Sequence, residues 1–159
     1  MAARGRVNDR GIHMAEPFQI LIIEDNIDDE FMIRRAFQKA HIVNDIMCVH
    51  DGEEALDYLL KRERYAGAAH PMPGLVLLDL NLPKVTGKEF LAEIARHEPL
   101  KDLPIVVLSV SDSTEDILDC YDSGVYAYLK KPLKPENILD FIMSEKFFGI
   151  YLVAAPSVS

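Results

Sequence analysis

Short apolar runs alternate with helical patterns five times along most of this 159-residue chain. Two of the runs, LVLLD at Leu75–Asp79 and IVVLS at Ile105–Ser109, are continuously apolar, as strands buried on both faces of a sheet are. Strands that alternate with helices form parallel sheets with right-handed crossovers. The sequence therefore predicts an α/β fold with a five-stranded parallel sheet.

The order of these elements favours a doubly wound sheet of flavodoxin-like order 2-1-3-4-5, with helices on both faces. The predicted strands are Phe18–Ile23, Ile46–His50, Leu75–Asp79, Ile105–Ser109 and Val125–Lys130. The predicted helices begin after a cap at Asp25 or Asn26, at Glu53, at Lys88, after the capping pattern Ser113-x-x-Asp116, and at Pro135. The inner face of the first helix is expected to carry Met32, Ile33, Ala36 and Phe37.

The two ends of the chain lie outside this pattern. Residues 1–16 contain no apolar stretch, so we interpret them as a flexible leader and not as a signal peptide. Both a native leader and a vector-derived one, with the natural start at Met14, fit this sequence. Residues 17–145 form the predicted domain, and residues 146–159 an extension of the last helix and a tail.

Charge and cysteine content narrow the partners. The formal net charge is −9, and the basic residues are scattered among more numerous acids, so direct binding of nucleic acid is not expected. No apolar run approaches the roughly 20 residues that a membrane span requires. Cys48 and Cys120 form no ligand-spaced motif, which predicts two reduced thiols in a cytoplasmic protein.

Polar residues stand where the predicted strands end. Glu24 and Asp25 follow the first strand, Asp79 ends the third, Ser109 ends the fourth, and Lys131 follows the fifth. The carboxyl ends of parallel strands share one edge of the sheet, so these residues are expected to form one pocket. Three carboxylates at close range require a cation, and oxygen ligands favour Mg²⁺.

This combination suits phosphoryl transfer, in which positioning and charge neutralisation supply most of the catalysis. Asp79 would be the nucleophile and form an aspartyl phosphate, while Lys131 and Ser109 contact the phosphoryl oxygens. Taken singly, each residue has a simpler interpretation: an acidic helix cap, a turn residue, a strand-end hydroxyl, or a solvated lysine.

The segments LIIEDN, LLDLNLPKVTG, IVVLSVS and YLKKPL resemble the response-regulator receiver family from about Phe18 to Met143. The resemblance implies that Asp79 accepts a phosphoryl group from a histidine kinase. It also implies that Asp25, Asp79 and the backbone carbonyl of Asn81 bind Mg²⁺ directly, with Glu24 acting through water.

The same resemblance assigns Ser109 and Tyr128 as the switch residues, Lys131 as the conserved-type lysine, and a cis peptide bond before Pro132. More narrowly, LLDLNLPK, the long loop before the third strand and the ending FFGIYLVAAP resemble the small regulators that partner phytochrome histidine kinases. One departure is Val110, where the family usually has a small residue, so access to the phosphate is expected to be narrower.

Two other functions remain open from the sequence. A magnesium-dependent aspartyl phosphatase commonly carries a second aspartate two residues after its nucleophile, and this chain has Asn81 there. A degenerate receiver that binds partners without phosphorylation is favoured only by Val110, and the intact Asp79, Ser109 and Lys131 argue against it.

Two surfaces are predicted to bind other proteins. Ile27 and Phe31, four residues apart on the outer face of the first helix, are expected to dock the kinase. The fifth helix and tail carry more apolar residues than the sheet can cover, which predicts a homodimer through this region, with a tail folded over its own domain as the alternative. The residues assigned to the dimer are Phe141, Phe147, Phe148 and Tyr151.

Overall fold

A computed structural model describes residues 18–145, with residues 139 and 142–145 as backbone only, and the backbone of residues 6–7 and 13–14. Its main sheet has five parallel strands in the order β2-β1-β3-β4-β5, which confirms the predicted architecture. The strands are β1 (Ile20–Ile23), β2 (Ile46–Val49), β3 (Leu75–Asp79), β4 (Ile105–Ser109) and β5 (Ala127–Lys130). In the leader, Arg6–Val7 pairs antiparallel with His13–Met14.

Five α-helices connect and flank these strands. They are α1 (Ile27–Lys39), α2 (Gly52–Leu60), α3 (Gly87–Arg96), α4 (Thr114–Asp122) and α5 (Pro135–Glu145). The first four begin at side chains that accept a hydrogen bond from a backbone amide three residues later, and the predicted Ser113–Asp116 cap is one of them. Among residues 18–145, every helix falls short of the length and apolarity that crossing a bilayer requires.

The sheet separates two apolar layers. Ile20 and Ile22 of β1 face the layer that contains residues of α1 and α5, whereas Leu21 and Ile23 face the layer that contains residues of α2, α3 and α4. All four β1 side chains are fully buried, as expected for a continuously apolar strand in a parallel sheet. The core therefore holds the strand ends at fixed positions along one edge.

One predicted detail is wrong. Met32, expected on the inner face of α1, is 48% exposed because the buried stripe follows Ile33, Ala36 and Phe37. The first and last strands begin two residues later than predicted, at Ile20 and Ala127. The other strand and helix ends also agree with the prediction within one or two residues.

Candidate functional site

The carboxyl edge of the sheet brings together the polar residues that the sequence predicted there. Glu24 and Asp25 follow β1, Asp79 is the last residue of β3, and Lys131 follows β5. Glu24 and Asp79 are buried, whereas Asp25 is exposed at the rim. Residues more than 100 positions apart in sequence thus share one pocket, as expected for parallel strands.

Lys131 lies at the centre of the acids. Its Nζ donates to Glu24 Oε2 at 2.7 Å, to Asp29 Oδ2 at 2.9 Å and to Asp79 Oδ2 at 3.3 Å. The Lys131 side chain is only 10% exposed. Burial lowers the pKa of Lys131, but its hydrogen bonds to Glu24 and Asp29 outweigh this and raise the pKa above its ordinary value. The lysine is therefore a fixed positive charge in the pocket.

Glu24 is the most deeply buried of these acids. Burial raises the pKa of its carboxyl to about 7, with Asp79 adding to the shift and Lys131 opposing it. One carboxylate oxygen accepts from the backbone amide of Asn26 at 3.2 Å and the other from Lys131. Because protein groups contact both oxygens of Glu24, the exposed Asp25 is better placed than Glu24 for direct contact with a cation.

The acids match the ligand set of a hard cation. Carboxylate oxygens of Glu24, Asp25 and Asp79 all lie within 4.8 Å of one another. Beside them is a cavity of about 220 Å³, whose lining includes Asn81 and Val110. An all-oxygen site of this size with few protein ligands suits Mg²⁺, which keeps several of its waters. The residues present therefore fit the predicted ion.

A close approach between α3 and β3 fixes the loop that follows Asp79. A Cβ atom at Gly87 would lie 2.6 Å from the Leu80 Cα and 2.8 Å from the Asp79 carbonyl oxygen. The Gly87 amide donates to the Leu80 carbonyl at 3.1 Å. The Asn81 amide, in the same loop, donates to Asp79 Oδ1 at 3.0 Å. Glycine at 87 thus permits packing that leaves Asp79 Oδ2 facing Lys131.

Ser109 lies beside this cavity and not in its lining. It lines an adjoining cavity that shares only Asn81 with the acidic one. The Ser109 side chain is buried, and its Oγ accepts from the Ser111 amide at 3.1 Å. The structure therefore places the predicted switch hydroxyl next to the site, bonded to the loop that follows β4.

Tyr128 contacts the same loop. Its hydroxyl donates to the Ser111 carbonyl at 2.7 Å, and its ring packs partly buried against the core. Ser111 Oγ in turn donates to Asp116 at 2.9 Å, and Asp116 pairs with Lys88 at 2.8 Å. The two predicted switch residues are therefore linked through Ser111, whose part the sequence did not reveal.

Three neighbouring positions bear on the site. Lys130, which precedes Lys131, is 60% exposed and pairs with the exposed Asp112, so Lys131 is the lysine of the site. The Lys131–Pro132 peptide bond is cis, as the resemblance implied. Val110 is 64% exposed and contributes to the lining of the acidic cavity.

Asp29 is the site residue that the sequence reasoning missed. It lies in the first turn of α1, and its side chain is 43% exposed while one oxygen accepts from Lys131. A signal was present, since Asp29 lies in the first turn of the helix that begins directly after the Glu24-Asp25 pair. Asp29 does not directly follow a strand, so the pattern of polar residues at strand ends does not include it.

The structure describes the predicted kinase surface on α1 and part of the predicted dimer surface on α5. On α1, Ile27 is 77% and Phe31 61% exposed, and Phe31 borders a surface depression lined also by Arg34, Arg35, Gln38 and Lys39. On α5, Phe141 is half-buried against the apolar layer shared with α1. The other residues assigned to the dimer, Phe147, Phe148 and Tyr151, lie outside the described residues.

Known proteins share both the sequence and the fold. A family model for the response regulator receiver domain matches residues 20–143. The probable methanogenesis regulatory protein FilR2 of Methanothrix harundinacea is 43% identical over 123 residues, covering 77% of each chain. Response regulator Rcp1 of Synechocystis sp. is 32% identical over 141 residues, covering 89% of this chain and 95% of Rcp1.

Solved structures extend the comparison. The Mn²⁺-bound form of Rcp1 has a TM-score of 0.70 and covers 89% of this chain and 100% of its own. The phosphorylated cyanobacterial phytochrome response regulator RcpA is 38% identical, with a TM-score of 0.70, over 83% of this chain and 94% of its own. The family match spans the whole sheet and every acid and lysine of the site. This chain belongs to the response regulator receiver domain family.

Proposed function

We propose that this protein is a response regulator that accepts a phosphoryl group from a sensor histidine kinase onto Asp79 in a Mg²⁺-dependent reaction. One observation carries the proposal: the buried Asp79 carboxylate lies 3.3 Å from Lys131 Nζ, within a cluster of acids that suits a divalent cation. A nucleophilic carboxylate between two positive charges is arranged to stabilise the charge of a transferring phosphoryl group.

Transfer of the phosphoryl group forms one bond to phosphorus and breaks another. An Asp79 carboxylate oxygen bonds to phosphorus while the phosphorus–nitrogen bond of the kinase phosphohistidine breaks, and that electron pair stays on the imidazole nitrogen. Asp25 and Asp79, with Asn81 and with Glu24 through water, would hold Mg²⁺, which supplies charge neutralisation when bound. Lys131 holds its proton throughout and turns from Asp79 to a phosphoryl oxygen. Hydrolysis of the acyl phosphate later restores the Asp79 carboxylate.

Two rival functions predict different outcomes with acetyl phosphate as the donor. A receiver gains one labile phosphoryl group and hydrolyses it slowly. A magnesium-dependent aspartyl phosphatase releases free phosphate continuously, and a degenerate receiver does neither. Once the donor is removed, free phosphate should therefore rise only with the decay of the label; consumption of the donor without an accumulating label, or complete absence of both label and free phosphate, would overturn the proposal.

The metal assignment has its own test at Asp25. Asp25 is exposed at the rim, so Asp25→Asn removes a metal ligand with little effect on folding. We expect weaker Mg²⁺ binding and loss of labelling by acetyl phosphate. Asp28→Asn, an exposed acid on the next turn, is the matched control and should retain both. Full labelling of wild-type protein in excess chelator would refute the assignment.

We propose that phosphorylation moves Ser109 and, through Ser111, releases Tyr128. When Ser109 Oγ turns to a phosphoryl oxygen, it gives up the bond that it accepts from the Ser111 amide. The loop can then shift, which weakens the bond from the Tyr128 hydroxyl to the Ser111 carbonyl. The readout is a changed surface at α4 and β5. A structure with a phosphate mimic that keeps both bonds would contradict this switch.

We further propose a phytochrome histidine kinase as the partner, which would place the protein in the cytoplasm. Similarity to Rcp1 and to the phytochrome response regulator RcpA supports this choice. The exposed Ile27 and Phe31 on α1 would dock the kinase. Phe31→Ala should slow transfer from the kinase but leave acetyl phosphate labelling unchanged, and Met32→Ala, also exposed, is the matched control. Transfer from the kinase as fast as in the wild type would contradict docking, whereas equal loss in both assays would indicate a folding defect instead.

A homodimer through α5 and the tail is the last part of the proposal. The half-buried Phe141 marks where α5 meets the apolar layer, and Phe147, Phe148 and Tyr151 would extend the contact. Light scattering of the intact chain and of a form truncated after Ser144 tests it at about tens of micromolar, where weak dimers appear. We expect a dimer only in the intact chain; two monomers would refute it.

A further inference from the structure

A second group of possible metal ligands lies outside the phosphorylation site. Glu30 of α1, Cys48 of β2 and His50 just after β2 place one carboxylate oxygen, the sulfur and a ring nitrogen within 4.8 Å of one another. The distance from Glu30 Oε1 to His50 Nε2 is 3.3 Å. Unlike the acidic pocket, this group combines sulfur, nitrogen and oxygen. We propose that it is a binding site for Zn²⁺.

Ligand chemistry selects the ion. Thiolate and imidazole ligands favour Zn²⁺ over Mg²⁺ or Ca²⁺, which take oxygen. Three protein ligands leave the fourth tetrahedral position to water, and His50, whose side chain is 55% exposed, places the site at the surface. Burial and the neighbouring Glu30 raise the pKa of Cys48 to about 12, so the unliganded thiol keeps its proton, and binding of the ion would displace that proton to solvent.

Neighbouring side chains already orient two of the ligands. Arg34 Nε donates to Glu30 Oε2 at 2.9 Å, which leaves Oε1 toward His50. On the other side of the imidazole, Glu54 Oε2 lies 3.8 Å from His50 Nδ1 and accepts from the His50 backbone amide at 3.1 Å. A carboxylate beside Nδ1 and an ion at Nε2 is the arrangement found around zinc-binding histidines.

The site would connect α1 to the end of β2, beside the phosphorylation edge. Cys48 Sγ lies 3.9 Å from the carbonyl oxygen of Glu24, and Glu30 stands between Asp29 and Phe31 on α1. An ion there would fix the helix that carries both the Lys131 contact and the proposed kinase surface. Binding of Zn²⁺ by these three residues would not require phosphorylation of Asp79.

Co²⁺, a spectroscopic substitute for Zn²⁺, tests the site on the full chain with Mg²⁺ saturating the acidic pocket. A thiolate-to-cobalt charge-transfer band should appear in the wild type and in Cys120→Ala, the other buried cysteine, and be lost in Cys48→Ala. Excess Zn²⁺ should remove the band. No band in the wild type, or a band that persists in Cys48→Ala, would overturn the proposal.

A variant at an exposed ligand position tests the site even if replacement of a buried cysteine disturbs folding. His50→Ala changes an exposed side chain and should weaken Zn²⁺ binding, measured by calorimetry, by at least about tenfold. His97→Ala, near the end of α3, is the matched control and should bind as the wild type does. Unchanged affinity in His50→Ala would contradict the assigned ligand set.

Discussion

Lys131→Met removes the ammonium group that lies among Glu24, Asp29 and Asp79. Glu24 and Asp79 side chains are 1% and 8% exposed, so they lose their partner where water cannot replace it. Removing one partner of a buried ion pair costs about 3–5 kcal/mol. Asp29, at 43% exposure, adds less than about 1 kcal/mol because solvent screens it. We therefore expect a total loss of about 3–5 kcal/mol in unfolding free energy.

Lys130→Met is the matched control for this measurement. Lys130 precedes Lys131 and also pairs with an acid, but both partners are exposed, and such pairs contribute about 0–1 kcal/mol. Urea unfolding of both variants, without and with Mg²⁺, gives the comparison. Mg²⁺ should recover more stability in Lys131→Met than in Lys130→Met, because it returns positive charge to the acids. Equal destabilisation of the two variants would refute the central role of Lys131.

Three further predictions concern Val110 at the mouth of the acidic cavity, Asp29, and the pH dependence that Glu24 gives to stability. Val110→Ala removes side-chain bulk at the mouth of the cavity, so labelling by acetyl phosphate and hydrolysis of the label should both accelerate several-fold, and unchanged rates would contradict the narrowing. Asp29→Asn releases Lys131 from one acid and should change the labelling rate, whereas Asp28→Asn, exposed on the same turn, should not. The pKa of Glu24 is raised from 4.5 to about 7 by folding, so the folded state binds more protons than the unfolded state between these values. Its contribution to stability should fall as pH rises through that window, by on the order of 3 kcal/mol without Mg²⁺, in urea unfolding followed against pH.

The fold and the acidic site could be predicted because both depend on local patterns. Continuously apolar runs such as Leu75–Asp79 identify buried parallel strands, and topology then brings their carboxyl ends together. The sequence pattern is therefore sufficient to assign Asp25, Asp79 and Lys131 to one pocket. Met32 was misplaced because one helical residue turns the chain by about 100°, and an apolar residue at the margin of a stripe fits either face.

Other features depend on contacts that no local pattern encodes. The link from Ser109 to Tyr128 passes through the backbone amide and carbonyl of Ser111, which any residue type except proline could provide. Cys48 and His50 are only two residues apart, but Glu30 lies on the preceding helix, and the crossover from α1 to β2 brings it beside them. Such groupings arise only when elements pack, so they become visible in the structure.

Locating the phosphoryl group tests the central proposal most directly. Wild-type protein, Asp79→Asn and Asp28→Asn are incubated with acetyl phosphate and Mg²⁺, and the intact masses are measured. We predict one added phosphoryl group on the wild type and on Asp28→Asn, and none on Asp79→Asn or in excess chelator. A phosphoryl group that remains on Asp79→Asn, or a wild type that gains none, would contradict the assignment of Asp79 as the acceptor.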